Sequence, residues 1–184
     1  GKATAALLTE QGHRVIGVDL RGSDIDADLS TAEGCAQMVD AVAALSGGTI
    51  DAIIANAGLS SPTVATAAVN YFGAVGTLEG LRPLLAGSAS PRAVATASMA
   101  SLFPPDDPLL DAMLAGDEAT ALARAGELAA AGGAEAGTIY GTSKRALTYF
   151  MKGLAKELAG SGVIAGRLSP GMMLTDFITK TPDG

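Results

Sequence analysis

The chain has 184 residues, 48% hydrophobic and 4% aromatic, with 12 Lys+Arg against 19 Asp+Glu for a formal net charge of −7. That suffices for one sizeable core and leaves no basic cluster of the kind that neutralises nucleic-acid phosphates. One cysteine, Cys35, and one histidine, His13, exclude an internal disulfide and a metal site of usual ligand composition; the apolar runs fall far short of the roughly 20 residues of a membrane span, so the expected setting is reducing and cytoplasmic, without nucleic-acid or membrane partners.

Residues 2–8 follow a helical pattern that stops at Gly12, and residues 14–19 (RVIGVD) form an apolar run closed by an acid, which reads as helix then strand. Ser30-Thr31-Ala32-Glu33 has the capping-box pattern, with Ser30 expected to accept from the Glu33 amide, and Val39, Val42 and Leu45 continue one apolar face. Residues 50–55 (IDAIIA) read as the next strand, ending at Asn56-Ala57-Gly58, before a helix expected over 67–85 and a strand over 93–97. Asp107-Pro108 reads as the cap and first-turn proline of a helix with Leu109, Leu110, Met113 and Leu114 on its apolar stripe and Gly116 at its end; Asp117 opens another through Ala131. From Tyr140 a further helical pattern runs to about Leu158.

Strict alternation of helices with near-continuous apolar strands predicts a doubly wound α/β fold, a Rossmann-type parallel sheet in a single domain. Ligands bind beyond the carboxyl ends of such strands, which directs attention to Asp19, residues 56–58, Ser98 and residues 170–175. Tyr140 and Lys144 in YGTSK are four apart, and four residues advance about 400° around a helix, so both side chains face one way. A phenol titrates near 10, but a nearby ammonium stabilises a phenolate, so such a pair can do acid/base work. The spacing is common by chance and draws its meaning from what surrounds it.

Asp19, Asn56-Ala57-Gly58, Asn70, Ser98, Tyr140-x-x-x-Lys144 and Pro170-Gly171-x-x-x-Thr175 occur in this order, each at the expected end of a strand or on the helix after it. In this ordered set the chain resembles the short-chain dehydrogenase/reductase family over essentially its whole length. VNYFGA around Asn70 and the long stretch between Ser98 and Tyr140 resemble the bacterial 3α-hydroxysteroid dehydrogenase/carbonyl reductase branch, whereas GTSKRALTYF and LSPGMMLTDF are similar to family members at large.

The resemblance implies a catalytic set of Asn70, Ser98, Tyr140 and Lys144. Tyr140 is the implied general acid in carbonyl reduction and base in the reverse direction. Ser98 is implied to hold the carbonyl oxygen, Lys144 to favour the phenolate and bind the nicotinamide ribose, and Asn70 to keep a water that links Lys144 to solvent. Residue types alone leave plainer readings open: a strand-end cap for Ser98, a side chain paired to its own helix backbone for Asn70, a surface lysine for Lys144.

For the cofactor, the resemblance implies that Gly1 is the last glycine of a phosphate loop and that Asp19, followed by Leu20, binds the adenine ribose. It likewise pairs Asp28 and Leu29 with the adenine, sets Asn56, Ala57 and Gly58 along the cofactor's centre, and brings Pro170, Gly171, Met173 and Thr175, with Tyr140 and Lys144, to the nicotinamide. Asp19 favours NAD over NADP, with Arg21 as the counterargument; Asp19 as a solvated turn acid and Asp28 as a loop acid before Ser30 are the plain alternatives. Met172 and Met173 read as apolar cover.

The expected substrate is a small apolar secondary alcohol or ketone, with a 3α-hydroxysteroid implied by the branch; a generic carbonyl reductase and a non-catalytic nucleotide-binding protein are the alternatives. By comparison with the family the sequence reads as partial, with a first strand and the C-terminal part lying outside it. Residues 102–137 read as a helical insertion that walls the cleft or blocks a subunit interface. The apolar Leu147, Phe150, Met151 and Leu154, together with the family's habit of pairing, predict a homodimer or homotetramer.

Overall fold

The computed structural model describes residues 1–171; Met172, Met173 and Thr175 lie outside the described residues. In chain order the elements are α1 (Lys2–Glu10), β1 (Val18–Asp19), β2 (Ile25–Asp26), α2 (Ala32–Ser46), β3 (Ala52–Ala55), α3 (Val64–Ala67), α4 (Ala74–Leu81), β4 (Arg92–Thr96), α5 (Asp107–Leu114), α6 (Glu118–Ala131), α7 (Gly133–Glu157) and β5 (Ile164–Leu168). A π-helix over Ala68–Gly73 joins α3 to α4, and 3-10 turns follow α4 (Arg82–Gly87) and β4 (Met99–Leu102).

Among the described residues all the pairing is parallel: β1 with β2 in one two-stranded sheet, and β3-β4-β5 in a three-stranded sheet with Ile53, Ala93 and Ala165 in register. Parallel neighbours need crossover connections, which α3–α4 supply between β3 and β4 and α5–α7 between β4 and β5. This is the Rossmann-like parallel sheet with flanking helices that the alternation predicts. Ile53, Ala55, Ala93 and Ala95 are buried and join Leu78, Leu81, Leu147, Met151 and Leu154 in one core, the strand alanines allowing α4 and α7 to approach closely. On the other side of the same strands Ile54 is 42% and Leu168 60% exposed, so among the described residues only one face of this sheet carries the main core.

The caps of α2 and α5 each differ by a residue from the sequence reading, for identifiable reasons. Thr31, not Ser30, caps α2: its Oγ1 accepts from the Gly34 amide at 3.0 Å, while the Ser30 amide and hydroxyl both donate to Asp28 Oδ1 at 2.9 and 2.6 Å. The turn built on Asp28 takes Ser30 out of the capping position. Similarly Asp106, not Asp107, caps α5, accepting from the Leu109 amide at 2.9 Å, because the Arg124 guanidinium grips the Asp106 carboxylate through Nε and Nη2 at 3.1 and 2.7 Å. Asp117 caps α6 as expected, accepting from Thr120.

The strand expected over 14–19 is shorter, since only Val18 and Asp19 have partners on β2, and the helix expected over 67–85 starts at Val64 and tightens to 3-10 after Leu81. The helix bearing Tyr140 begins well before it, at Gly133. Most of the segment read as an insertion is therefore α5, α6 and the head of α7. Helices α5 and α6 pack on each other and on α7, and α6 reaches α3 and the π-helix, burying Leu109, Met113, Ala121, Ala125 and Leu128. No helix among the described residues is long and apolar enough to cross a membrane.

Candidate active site

The carboxyl ends of β3 and β4 point toward the middle of α7, and a buried polar network joins them. Asn70 is fully buried on the π-helix, whose wider turn departs from the α-helical ladder. Its side chain brackets the backbone of Leu59, Oδ1 accepting from the Leu59 amide at 2.8 Å and Nδ2 donating to the Leu59 carbonyl at 2.9 Å. Nδ2 also donates to Ser143 Oγ at 3.2 Å, and Ser143 Oγ donates to the Tyr140 carbonyl at 2.8 Å. The plain reading of Asn70, pairing to its own helix, is not what the structure shows: it ties the loop after β3 to α7.

Lys144 is 4% exposed, and its Nζ donates to the Thr96 carbonyl, the last residue of β4, at 2.7 Å. Burial pulls this ammonium down from its usual range to about 8. Nζ lies 5.9 Å from the Tyr140 ring centroid, within cation–π range. A Cβ added to Gly58 would stand 3.3 Å from Nζ and 3.1 Å from Asn70 Oδ1, so glycine here lets the chain pass directly beside both side chains. The surface-lysine reading of Lys144 is accordingly excluded.

Ser98 ends the run from β4 and caps the Met99–Leu102 turn, its Oγ accepting from the Ala100 amide at 3.1 Å. A hydroxyl has one donor and two acceptor positions, so this bond fixes the oxygen and leaves the hydrogen to donate. The same turn meets α7 at Gly141, where a Cβ would lie 3.1 Å from the Ala100 carbonyl oxygen. Tyr140, half-buried, opens onto a cleft of about 500 Å³ lined otherwise by apolar or small groups, among them Ala100, Phe103, Pro104, Ala134 and Gly137. Residues 134, 137, 138 and 141 line it at helical spacing, a periodicity readable from sequence once α7 is known to start at Gly133.

The residues read as cofactor-binding fall into two groups. Gly1 abuts Asn56, its Cβ position lying 3.6 Å from Nδ2, and Asn56 Oδ1 accepts from Thr96 Oγ1 at 3.2 Å; Ala57 and Gly58 continue toward Lys144. Gly1 stands at the N-cap of α1 and makes no side-chain cap bond; first-turn helix amides are the groups that face an anion at such a position. Pro170 and Gly171 run beside Ser98, the Pro170 carbonyl accepting from the Met99 amide at 3.0 Å and Gly171 lying against Met99 Sδ. These residues share one edge with Asn70, Ser98, Tyr140 and Lys144.

The second group, Asp19, Leu20, Asp28 and Leu29, sits at the ends of β1 and β2. Asp19 Oδ1 accepts from the Leu20 amide at 2.7 Å at an exposed strand end, and Leu20 is 60% exposed. Two hydrogen bonds from Ser30 hold the Asp28 carboxyl below its usual range, which engages Oδ1 in the local turn. Leu29 packs against the core, its carbonyl directly at Gly73, so this segment rests on the helix that carries Asn70. The sequence reading does not single out Thr96, Gly141, Ser143 or Arg145; of these, Gly141 and Ser143 sit inside the YGTSK motif.

A profile for the family described as short chain dehydrogenase matches residues 109–184. The 3-alpha-hydroxysteroid dehydrogenase/carbonyl reductase of Comamonas testosteroni is 35% identical over 183 residues, covering 97% of this chain and 70% of that one. The crystal structure of the 3-alpha-hydroxysteroid dehydrogenase from Pseudomonas sp. B-0831 complexed with NADH superposes with a TM-score of 0.85 at 37% identity, over 93% of this chain and 67% of that one. A short chain dehydrogenase from Burkholderia cenocepacia in complex with NADP shares the fold, at a TM-score of 0.67 and 20% identity over 96% and 68% of the two chains. With Asn70, Ser98, Tyr140 and Lys144 assembled at the ends of β3 and β4 and relatives of this similarity, the chain belongs to the short-chain dehydrogenase/reductase family, whose members are NAD(P)-dependent oxidoreductases acting on CH–OH and C=O groups.

Proposed function

We propose that this chain interconverts an apolar secondary alcohol and its ketone with NAD as the preferred cofactor, a 3α-hydroxysteroid being the substrate class suggested by the names of the Comamonas and Pseudomonas relatives. The observation that carries the reading is the placement of Tyr140 on the wall of an apolar cleft, with the buried Lys144 cation on one side and the Ser98 turn on the other. The cleft's volume of about 500 Å³ lies in the range of small-molecule sites, and its nonpolar lining fits a hydrocarbon skeleton.

A bound nicotinamide supplies or takes up the hydride. The chain's own residues handle the oxygen and its proton. Ser98 donates its hydroxyl hydrogen to the carbonyl oxygen, its own oxygen steadied by the Ala100 amide. Tyr140 transfers its phenolic proton to that oxygen as negative charge develops, and takes a proton from the alcohol in the reverse direction. Lys144 places positive charge beside the Tyr140 ring and lies next to Gly58, where ribose hydroxyls are to be bound. Asn70 holds the loop after β3 and positions a water for proton exchange with Lys144. Gly1, Asp19, Leu20, Asp28, Leu29, residues 56–58, Pro170, Gly171, Met173 and Thr175 serve the cofactor, Asp19 accepting from the adenine-ribose diol.

Residues 1–184 are part of one NAD(P)-binding unit with the 102–137 segment as its helical insertion, and the protein associates with copies of itself. The test is initial-rate kinetics of the complete protein with a panel running from short secondary alcohols to 3α-hydroxysteroids. Steroid alcohols with the higher kcat/KM support the proposal, a preference for small carbonyls makes it a generic carbonyl reductase, and no turnover with any member overturns it.

A further inference from the structure

The one-turn 3-10 helix after Ser98 is too short to be stable alone, so its position is set by what holds it. Its first end is Ser98, whose carbonyl accepts from the Ser101 amide at 3.1 Å and whose hydroxyl accepts from Ala100. Toward its far end the Ser101 carbonyl accepts from Arg145 Nε at 2.7 Å, with Ser101 only 9% exposed. Arg145 lies on α7 immediately after Lys144 and four residues beyond Gly141, so Arg145 and Gly141 share one helix face. On that face Gly141 lets the Ala100 carbonyl approach, since a Cβ would stand 3.1 Å from the oxygen. The turn is therefore pressed on α7 at Ala100 and pulled onto it at Ser101, and a guanidinium-to-carbonyl bond is a charge-assisted one.

We propose that Arg145 is a positioning residue for the reaction: by holding the Met99–Leu102 turn on α7 it sets Ser98 relative to Tyr140, and with it the Ala100 side of the substrate cleft. This rests on the reading of Ser98 as the group that holds the carbonyl oxygen. Nothing in the hydride or proton transfer needs a guanidinium at this place, yet both residues that act on the substrate oxygen depend on the turn–helix spacing it maintains. Misplacement of about 1 Å in such a constellation lowers rate on the order of 100-fold.

The test is a double-mutant cycle in the complete protein, with ketone reduction followed in Arg145→Met, Ser98→Ala and the double variant. Arg145→Met keeps the apolar stem and removes the donor. It is expected to lower kcat/KM by roughly 10- to 100-fold, chiefly in kcat, with the cofactor dissociation constant within about twofold, and in the Ser98→Ala background by less than about threefold. Arg145→Lys, which retains a donor, is expected to recover most of the loss. Gly141→Ala, pushing on the same turn at Ala100, gives a second and independent variant with the same dependence on Ser98. Equal fold-losses with and without Ser98, or losses that track the unfolded fraction, overturn the inference while leaving the role of Ser98 standing. A Ser98→Ala variant with unchanged kcat/KM overturns the reading of Ser98 and this inference with it.

Discussion

Replacing Lys144 by Met separates the energetic burden of a buried cation from the work it does. Lys144 is 4% exposed and its ammonium is lowered from 10.5 to about 8 by desolvation, which at 1.36 kcal/mol per pH unit is about 3 kcal/mol of folding free energy. The folded site holds its proton more weakly than the unfolded chain does. Between about pH 8 and 10.5 the unfolded state therefore binds more protons, and stability gains with rising pH across that window; below it both states are protonated and the penalty is constant. Lys144→Met keeps the stem and removes the titration. At neutral pH the relief is offset by the Thr96 carbonyl losing its donor at 2.7 Å, worth about 1–3 kcal/mol if left unpaired, so the two proteins are expected to differ little there. The informative quantity is the difference in unfolding free energy, in which groups common to both proteins cancel. Measured by urea titration at a series of pH values, it is expected to be flat below about pH 7.5 and to move by about 3 kcal/mol in favour of wild type by pH 10.5. Parallel pH–stability curves would refute the assignment of Lys144 as a buried, desolvated cation.

Three further outcomes are expected. Asp19→Ala, at the exposed end of β1, removes the carboxylate that accepts from a ribose diol and repels a 2′-phosphate; the kcat/KM ratio of NAD over NADP is expected to fall roughly 10-fold or more, and a wild-type preference for NADP would contradict it. Gly58→Ala sets a methyl 3.1 Å from Asn70 Oδ1 and 3.3 Å from Lys144 Nζ, so kcat is expected to drop on the order of 10-fold while stability changes by less than about 2 kcal/mol, read by kinetics and urea unfolding together. Sedimentation of the complete protein at micromolar concentration is expected to show a dimer or tetramer, formed although α5 and α6 already cover part of the helices bearing Asn70 and Tyr140; monomer alone would contradict the expectation.

The helical spacing of Tyr140 and Lys144 and the alternation of elements were legible because periodicity is a local property of the chain, and the parallel sheet follows from it. The cap of α6 at Asp117 was legible outright, those of α2 and α5 only to within a residue. At both α2 and α5 an acid just upstream decided the register, and at α5 its partner, Arg124, lies on a different helix. The π-helix at Asn70 has no periodic signature in AVNYFG, so the direction of the Asn70 side chain, toward Leu59 and Ser143, required the fold. Arg145 and Thr96 escaped for a related reason: each acts through a backbone carbonyl or side chain distant in sequence, and a backbone acceptor carries no residue-type signal. The cleft wall was hidden by placing the start of the last long helix at Tyr140 rather than at Gly133, which concealed the helical repeat of residues 134, 137, 138 and 141.

The central claim is that Tyr140 carries the proton while hydride passes to or from a nicotinamide. Its most direct test is NADH formation from a secondary alcohol by the complete protein and by its Tyr140→Phe variant, alongside cofactor binding measured by titration. The account predicts turnover by wild type, loss of at least about 1,000-fold in kcat for the variant, in line with removal of an essential general acid/base, and cofactor affinity changed by no more than about threefold, since the ring and Lys144 remain. A variant that keeps near-normal kcat would contradict it by showing that another group supplies the proton.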